Sequence, residues 1–128
     1  MGKSTEKALI LYVDDEPGAL GALKLGLEER GYQVLTAGSG ADALNLLKTK
    51  SPDMLLVDLR MQPMNGFEFF QTVKKNPRLS ETPIIFVTAV SDPISQKYGE
   101  SLGVDGYLTK PVDVDNLDNI IRAKLGIR

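Results

Sequence analysis

The sequence predicts an α/β fold in which five β-strands alternate with five helices, the strands forming a parallel sheet covered on both faces. Three observations lead there. Five apolar, partly β-branched runs recur along the 128 residues, and most are continuous rather than alternating, which suits strands buried on both sides. The segments between them repeat their apolar residues at helical spacing. A chain that is 42% hydrophobic at this length makes one ordinary domain and can bury a core without disulfide or metal.

The elements follow in order. Residues 8–13 form the first run, and Pro17 suits the first turn of a helix whose stripe is Leu20, Leu23 and Leu27, closed by Gly31. The second run is 33–36. Ser39 with Asp42 three residues on resembles a capping box for the stripe Ala43, Leu44 and Leu47, stopped at Pro52. Run three, 54–57, precedes Phe67, Phe70 and Val73, with Pro77 as the stop; run four is 84–88. Asp92-Pro93 reads as a cap and first turn before Ile94, Tyr98 and Leu102, although Gly99 weakens that helix. After the fifth run, 104–108, Asp113 caps a helix carrying Val114, Leu117, Ile120, Ile121 and Leu125. A flexible segment at 1–7 and one domain at 8–126 are expected, with no second domain.

Composition excludes several functions. With no cysteine and no histidine there is no thiol catalysis, Cys-based zinc site, His-based triad or imidazole shuttle of the chain's own. Fifteen basic against seventeen acidic residues, net −2, argue against direct nucleic-acid binding. No apolar run approaches the ~20 residues of a membrane span and no secretory segment is visible, so a cytoplasmic location is expected.

In open α/β sheets ligands bind beyond the carboxyl ends of the strands, at the point where the strand order reverses. Those ends deliver Asp14 and Asp15, Asp58, Thr88 and, two residues past Leu108, Lys110. Hard carboxylate oxygens suit Mg2+, a carboxylate can itself accept a phosphoryl group, and a lysine and a hydroxyl can hold the phosphoryl oxygens. Singly, each residue has a plainer explanation: helix-terminal acids, a loop cap, a strand threonine, a solvated lysine. Jointly they point to metal-assisted phosphoryl transfer.

The stretches around these residues are Leu11-Tyr12-Val13-Asp14-Asp15-Glu16, Leu56-Val57-Asp58-Leu59-Arg60-Met61, Met64-Asn65-Gly66, Val87-Thr88-Ala89 and Gly106-Tyr107-Leu108-Thr109-Lys110-Pro111. Together they resemble the receiver domain of two-component response regulators. The resemblance implies a flavodoxin-like (βα)5 three-layer sandwich with a five-stranded parallel sheet in the order 2-1-3-4-5, an order familiar for this kind of sheet. It implies Asp58 as phosphoacceptor. Mg2+, or Mn2+ in its place, would be held by Asp15, Asp58 and the Arg60 backbone carbonyl, with Asp14 positioning a water of the metal's shell. It further implies Thr88 as switch hydroxyl followed by Ala89, Lys110 as phosphate-binding lysine, Tyr107 as rotating aromatic and a cis Lys110–Pro111 bond. Arg60 and Val90 would flank the path of attacking water. The implied partners are a sensor histidine kinase or phosphotransfer domain and an output domain or target protein, with a homodimer through the face made by helix four, strand five and helix five as a further option. One departure is visible: Met61-Gln62-Pro63-Met64 carries its proline one residue later than the family's usual loop. Pro63 pushes Gln62 toward extended angles, so a local difference is expected after Asp58.

Two other readings compete. Gly38-Ser39-Gly40-Ala41-Asp42-Ala43 matches a dinucleotide-binding fingerprint, with Asp58 in the place of the later acid. It follows the second strand rather than the first, and a flexible turn with a capping serine explains it better. A small aspartyl-phosphate phosphatase or phosphotransferase would also use a nucleophilic aspartate, but it usually adds an acid two residues on, where this chain has Arg60.

Overall fold

The computed structural model describes residues 8–127; the segment 1–7 lies outside the described residues. Its elements run β1 (Leu9–Val13), α1 (Pro17–Glu28), β2 (Gln33–Ala37), α2 (Gly40–Leu46), β3 (Met54–Val57), α3 (Gly66–Lys74), β4 (Ile84–Thr88), α4 (Pro93–Ser101), β5 (Gly106–Thr109) and α5 (Val114–Leu125). All strand pairings are parallel and the sheet order is β2-β1-β3-β4-β5.

The two-residue period of a strand explains the layers. Ile10, Tyr12, Leu56, Ile85 and Val87 join Leu23 and Leu27 of α1 and Leu117 and Ile121 of α5 in one core. Their neighbours Leu11, Val13, Leu55, Val57, Ile84 and Phe86 join Ala43, Leu47, Phe69, Phe70 and Val73 from α2 and α3 in the other. The central strands β3 and β4 are buried throughout, which is why they read as unbroken apolar runs.

Caps account for the helix boundaries. Ser39 accepts from the Asp42 N–H at α2, Asp92 from Ser95 at α4 and Asp113 from Asp115 at α5. The full reciprocal capping box occurs at α3, between Asn65 and Glu68. Gly31, φ 93°, ends the first helical segment in the left-handed region that glycine enters without steric cost. At the other end of α2, the Arg78 guanidinium donates to the carbonyls of Leu47 and Lys50 and to Ser51 Oγ, satisfying chain-end acceptors the helix leaves open.

Strands β1 and β2 shift by one residue at one end from the expected runs, and the structure differs more in two places. The β5 ladder starts at Gly106 rather than Val104, because the Asp105 side chain accepts from the Ile84 N–H where a strand carbonyl would otherwise pair. The α4 stripe is not a buried face: Ile94 is 82% and Tyr98 45% exposed. The residue α4 buries is Gly99, which faces the Phe86 and Tyr107 rings at a distance where a Cβ would be in ordinary contact, 3.4 Å, while Tyr98 packs edge-on against Phe67. The glycine that weakens the helix is therefore also one of its points of contact with the core.

Candidate functional site

The sheet order reverses between β1 and β3, and the two strands end level, Val13 pairing with Val57. The next residue of each is an aspartate, so Asp14 and Asp58 stand side by side. Asp58 donates its N–H to the Val13 carbonyl at 2.9 Å, which locks that arrangement. Across the sheet Thr88 pairs with Thr109, and the Lys110 N–H donates to the Thr88 carbonyl at 2.8 Å. The lysine is thereby aimed back over the strand ends. Its Nζ lies 2.5 Å from Asp14 Oδ2 and 3.1 Å from Asp58 Oδ2.

Asp14 is fully buried. A buried carboxylate is costly unless hydrogen-bonded, and here three donors meet it: the Glu16 N–H on Oδ1 at 3.0 Å, the Tyr12 hydroxyl on Oδ2 at 2.6 Å, and Lys110. Asp58 is nearly buried; its Oδ1 accepts from the Arg60 N–H at 3.1 Å. Burial works against the Lys110 charge, but hydrogen bonds to Asp14 and Asp58 outweigh it and hold its pKa above the ordinary lysine value. Burial, then the Asp14 contact, push the Tyr12 phenol up, so that hydroxyl remains a donor.

A second connected set adjoins the first. Thr88 is fully buried, and its Oγ1 accepts from the Val90 N–H at 3.2 Å. The Val90 carbonyl in turn accepts from the Tyr107 hydroxyl at 2.5 Å. One residue, Val90, thus ties the threonine to the aromatic. Ala89 between them is exposed, and the Tyr107 ring packs edge-on against Phe86.

Of the expected residues, the structure brings together Asp14, Asp58 and Lys110, and separately Thr88, Val90 and Tyr107. Asp15 and Arg60 are exposed at the rim. The Lys110–Pro111 bond is cis, as the resemblance implies, and the Gln62–Pro63 bond is cis as well. Among the described residues no three acidic side chains are gathered as a metal cage; Asp14 and Asp58 meet at Lys110, with Asp15 exposed at the rim. The donor chemistry nevertheless fits Mg2+: carboxylates of Asp14, Asp15 and Asp58 and the Arg60 carbonyl are hard oxygens of the kind that ion takes, a few protein ligands sufficing.

Sequence reading missed two contributors. Tyr12 is one; its signal was present, because Tyr12 and Asp14 share a strand face by the two-residue period and a buried phenol needs a partner. Gly66 is the other. A Cβ there would lie 2.5 Å from the Asp58 carbonyl oxygen and 2.8 Å from Leu59 Cα, so only glycine lets α3 approach the loop after Asp58 this closely. The Gly38–Ala43 segment opens from the edge strand β2; Ser39 caps α2 and Met64 lies over Gly40. Those contacts explain Gly40 and Ser39 without a nucleotide, while Gly38 has open space around it.

Comparison with known proteins agrees with this geometry. The family model of the response regulator receiver domain matches residues 10–122. The chain is 38% identical to Protein PilH of Pseudomonas aeruginosa over 92% of this chain and 98% of that protein. It is 37% identical to the transcriptional regulatory protein AfsQ1 of Streptomyces coelicolor over 91% of this chain, but spans only 50% of AfsQ1. The chemotaxis protein CheY4 of Vibrio cholerae superposes with a TM-score of 0.85 at 30% identity, covering 91% of this chain and 97% of that one.

Proposed function

The chain belongs to the receiver domain family of two-component response regulators, and from that premise we propose that it works as a phosphorylation switch with Asp58 as acceptor. The observation that carries this reading is the pair of level carboxylates, Asp14 and Asp58, sharing one lysine ammonium at the sheet's reversal point. The chain has no histidine, so a phosphohistidine donor would come from a partner, a sensor histidine kinase or phosphotransfer domain. In the transfer the donor's P–N bond breaks with its electron pair left on the imidazole, which takes up a proton from solvent. An Asp58 oxygen forms the new P–O bond. Water later attacks phosphorus, releasing phosphate and restoring the carboxylate, so the domain would promote only its own phosphorylation and dephosphorylation.

Asp15, Asp58 and the Arg60 carbonyl would hold Mg2+, or Mn2+, with Asp14 beside them. The ion, when bound, offsets the negative charge of the phosphoryl oxygens. Lys110 does the same from the protein side: its ammonium turns to a phosphoryl oxygen and shields Asp14 from the incoming charge. Thr88 offers its hydroxyl hydrogen to another. Because Thr88 and Tyr107 are joined through Val90, movement of the hydroxyl is passed to the β4–α4 segment and to the face formed by α4, β5 and α5. That face would engage an output domain, a target protein or a second copy. Among the described residues no helix is long and apolar enough to cross a membrane.

The test is intact-mass spectrometry after incubation with a small phosphodonor. One phosphoryl adduct is expected in wild type with Mg2+, and none in Asp58→Asn or with chelator. Equal labelling of wild type and Asp58→Asn, or labelling indifferent to chelator, refutes the assignment.

A further inference from the structure

We propose that Tyr12 is a positioning residue for phosphoryl acceptance, its buried hydroxyl holding the Asp14 carboxylate so that Lys110 can leave it for a phosphoryl group on Asp58. The proposal rests on the receiver reading and adds a residue to it. In the structure Asp14 Oδ2 is shared by two donors, the Tyr12 hydroxyl at 2.6 Å and Lys110 Nζ at 2.5 Å. The ammonium is in turn shared, reaching Asp58 at 3.1 Å. When charge is added at Asp58 the ammonium is drawn toward it. A fully buried Asp14 would then be left with an oxygen short of a donor, which is costly for a buried ion.

Tyr12 is built to prevent that. It sits one residue from the end of β1, paired on both sides with β2 and β3, and is 1% exposed. Its ring is packed in the same core as Leu23, Leu27 and Val87, so the hydroxyl stays where Asp14 needs it. Two donors on one oxygen weaken each other; once Lys110 departs, the phenol has that oxygen to itself and binds it more strongly. Tyr12 therefore stabilises the lysine-departed state more than the resting state. A residue shifts an equilibrium only through such a difference. Phenylalanine would fill the same space and leave Lys110 as the sole donor to Oδ2, tightening its hold on Asp14.

The experiment titrates beryllofluoride, a phosphoryl mimic, into Mg2+-saturated wild type, Tyr12→Phe and Leu23→Ala, followed by amide NMR. The hydrogen bond exists in both states, so only its strengthening on lysine departure counts, a part of what a bond to a charged group is worth. Beryllofluoride binding in Tyr12→Phe should therefore be about three- to tenfold weaker. Leu23→Ala, which loosens the same core without touching Asp14, should bind as wild type does. In wild type carrying 13Cζ-tyrosine, the Tyr12 resonance should shift on complex formation as its hydrogen bond strengthens; this needs no variant to fold. Tyr12→Phe binding within twofold of wild type, an equal loss in Leu23→Ala, or a Tyr12 resonance that stays put while amides of residues 88–110 move, would each overturn the role of Tyr12. Wild type that fails to bind beryllofluoride at all would instead overturn the receiver reading beneath it.

Discussion

Replacing Gly66 by alanine is the sharpest single test of how the loop after Asp58 is built. The added Cβ would lie 2.5 Å from the Asp58 carbonyl oxygen and 2.8 Å from Leu59 Cα. Both are backbone atoms and cannot rotate away. Ordinary contact begins near 3.4 Å, so the first turn of α3 must retreat by about 0.9 Å. That retreat strains the Gly66 N–H bond to the Leu59 carbonyl, now 3.0 Å, at a cost of about 1 kcal/mol. Overpacking adds about 1–3 kcal/mol, for a total of roughly 2–4 kcal/mol. With a urea slope of about 2 kcal/mol/M the midpoint should fall by roughly 1–2 M. The same displacement drags the Asp58–Arg60 segment, so labelling of Asp58 should slow even in the folded fraction. Gly21→Ala supplies the contrast: it lies in α1 with nothing within 4 Å of its Cβ, and should gain about 0.5–1 kcal/mol from helix propensity alone. Urea melts of both variants, with phosphodonor labelling at a denaturant-free common temperature, read the two effects. A Gly66→Ala protein within about 0.5 kcal/mol of wild type, labelled at the wild-type rate, refutes the close-approach argument.

Three further outcomes are expected. Arg60→Ala and Arg60→Asn should shorten the lifetime of phospho-Asp58, about tenfold if the lost shielding is worth about 1.4 kcal/mol; dephosphorylation timed in excess Mg2+ checks this, and lifetimes equal or longer in the variants refute shielding. Thr88→Ala should still accept phosphate but lose the Val90-linked response, seen as beryllofluoride shifts that no longer spread through residues 88–110; a full response removes Thr88 from the switch. Burial and nearby carboxylates hold the phenols of Tyr12, Tyr32 and Tyr107 above the ordinary value of 10.0. The unfolded chain releases those protons first, so the native state binds more protons and its stability declines as pH rises above about 10. Phenolate absorbance and urea melts across the alkaline range should show this, with a shallower decline in Tyr32→Phe; an unchanged slope in that variant would contradict it.

Much of this was legible before any coordinates. β3 and β4 match their apolar runs residue for residue because a strand buried on both faces leaves no polar position to blur its edges. Asp14, Asp58, Thr88 and Lys110 could be placed together because strand ends in such a sheet share one edge. What the residues did not disclose depends on contacts distant in sequence. The β5 start is set by Asp105 reaching Ile84; the α2 end is held by Arg78; and α4 meets the core through Gly99 beside Phe86 and Tyr98 edge-on to Phe67, leaving Ile94 outside. Helical spacing shows which residues share a face, not which face the sheet will accept.

The shallow seating of α4 has an energetic consequence of its own. Its one buried residue is a glycine, Ile94 is exposed, and the half-exposed Tyr98 holds it through one edge-on contact with Phe67. Opening this helix forfeits far less buried apolar surface than opening α5, which anchors itself through Leu117 and Ile121. In hydrogen-exchange language α4 is the foldon nearest the bottom of the ladder, its amides exposed by local opening well before the central strands give way. A helix held so loosely can be repositioned by a free-energy difference the size of one or two hydrogen bonds, which is the scale that a single phosphoryl group can supply.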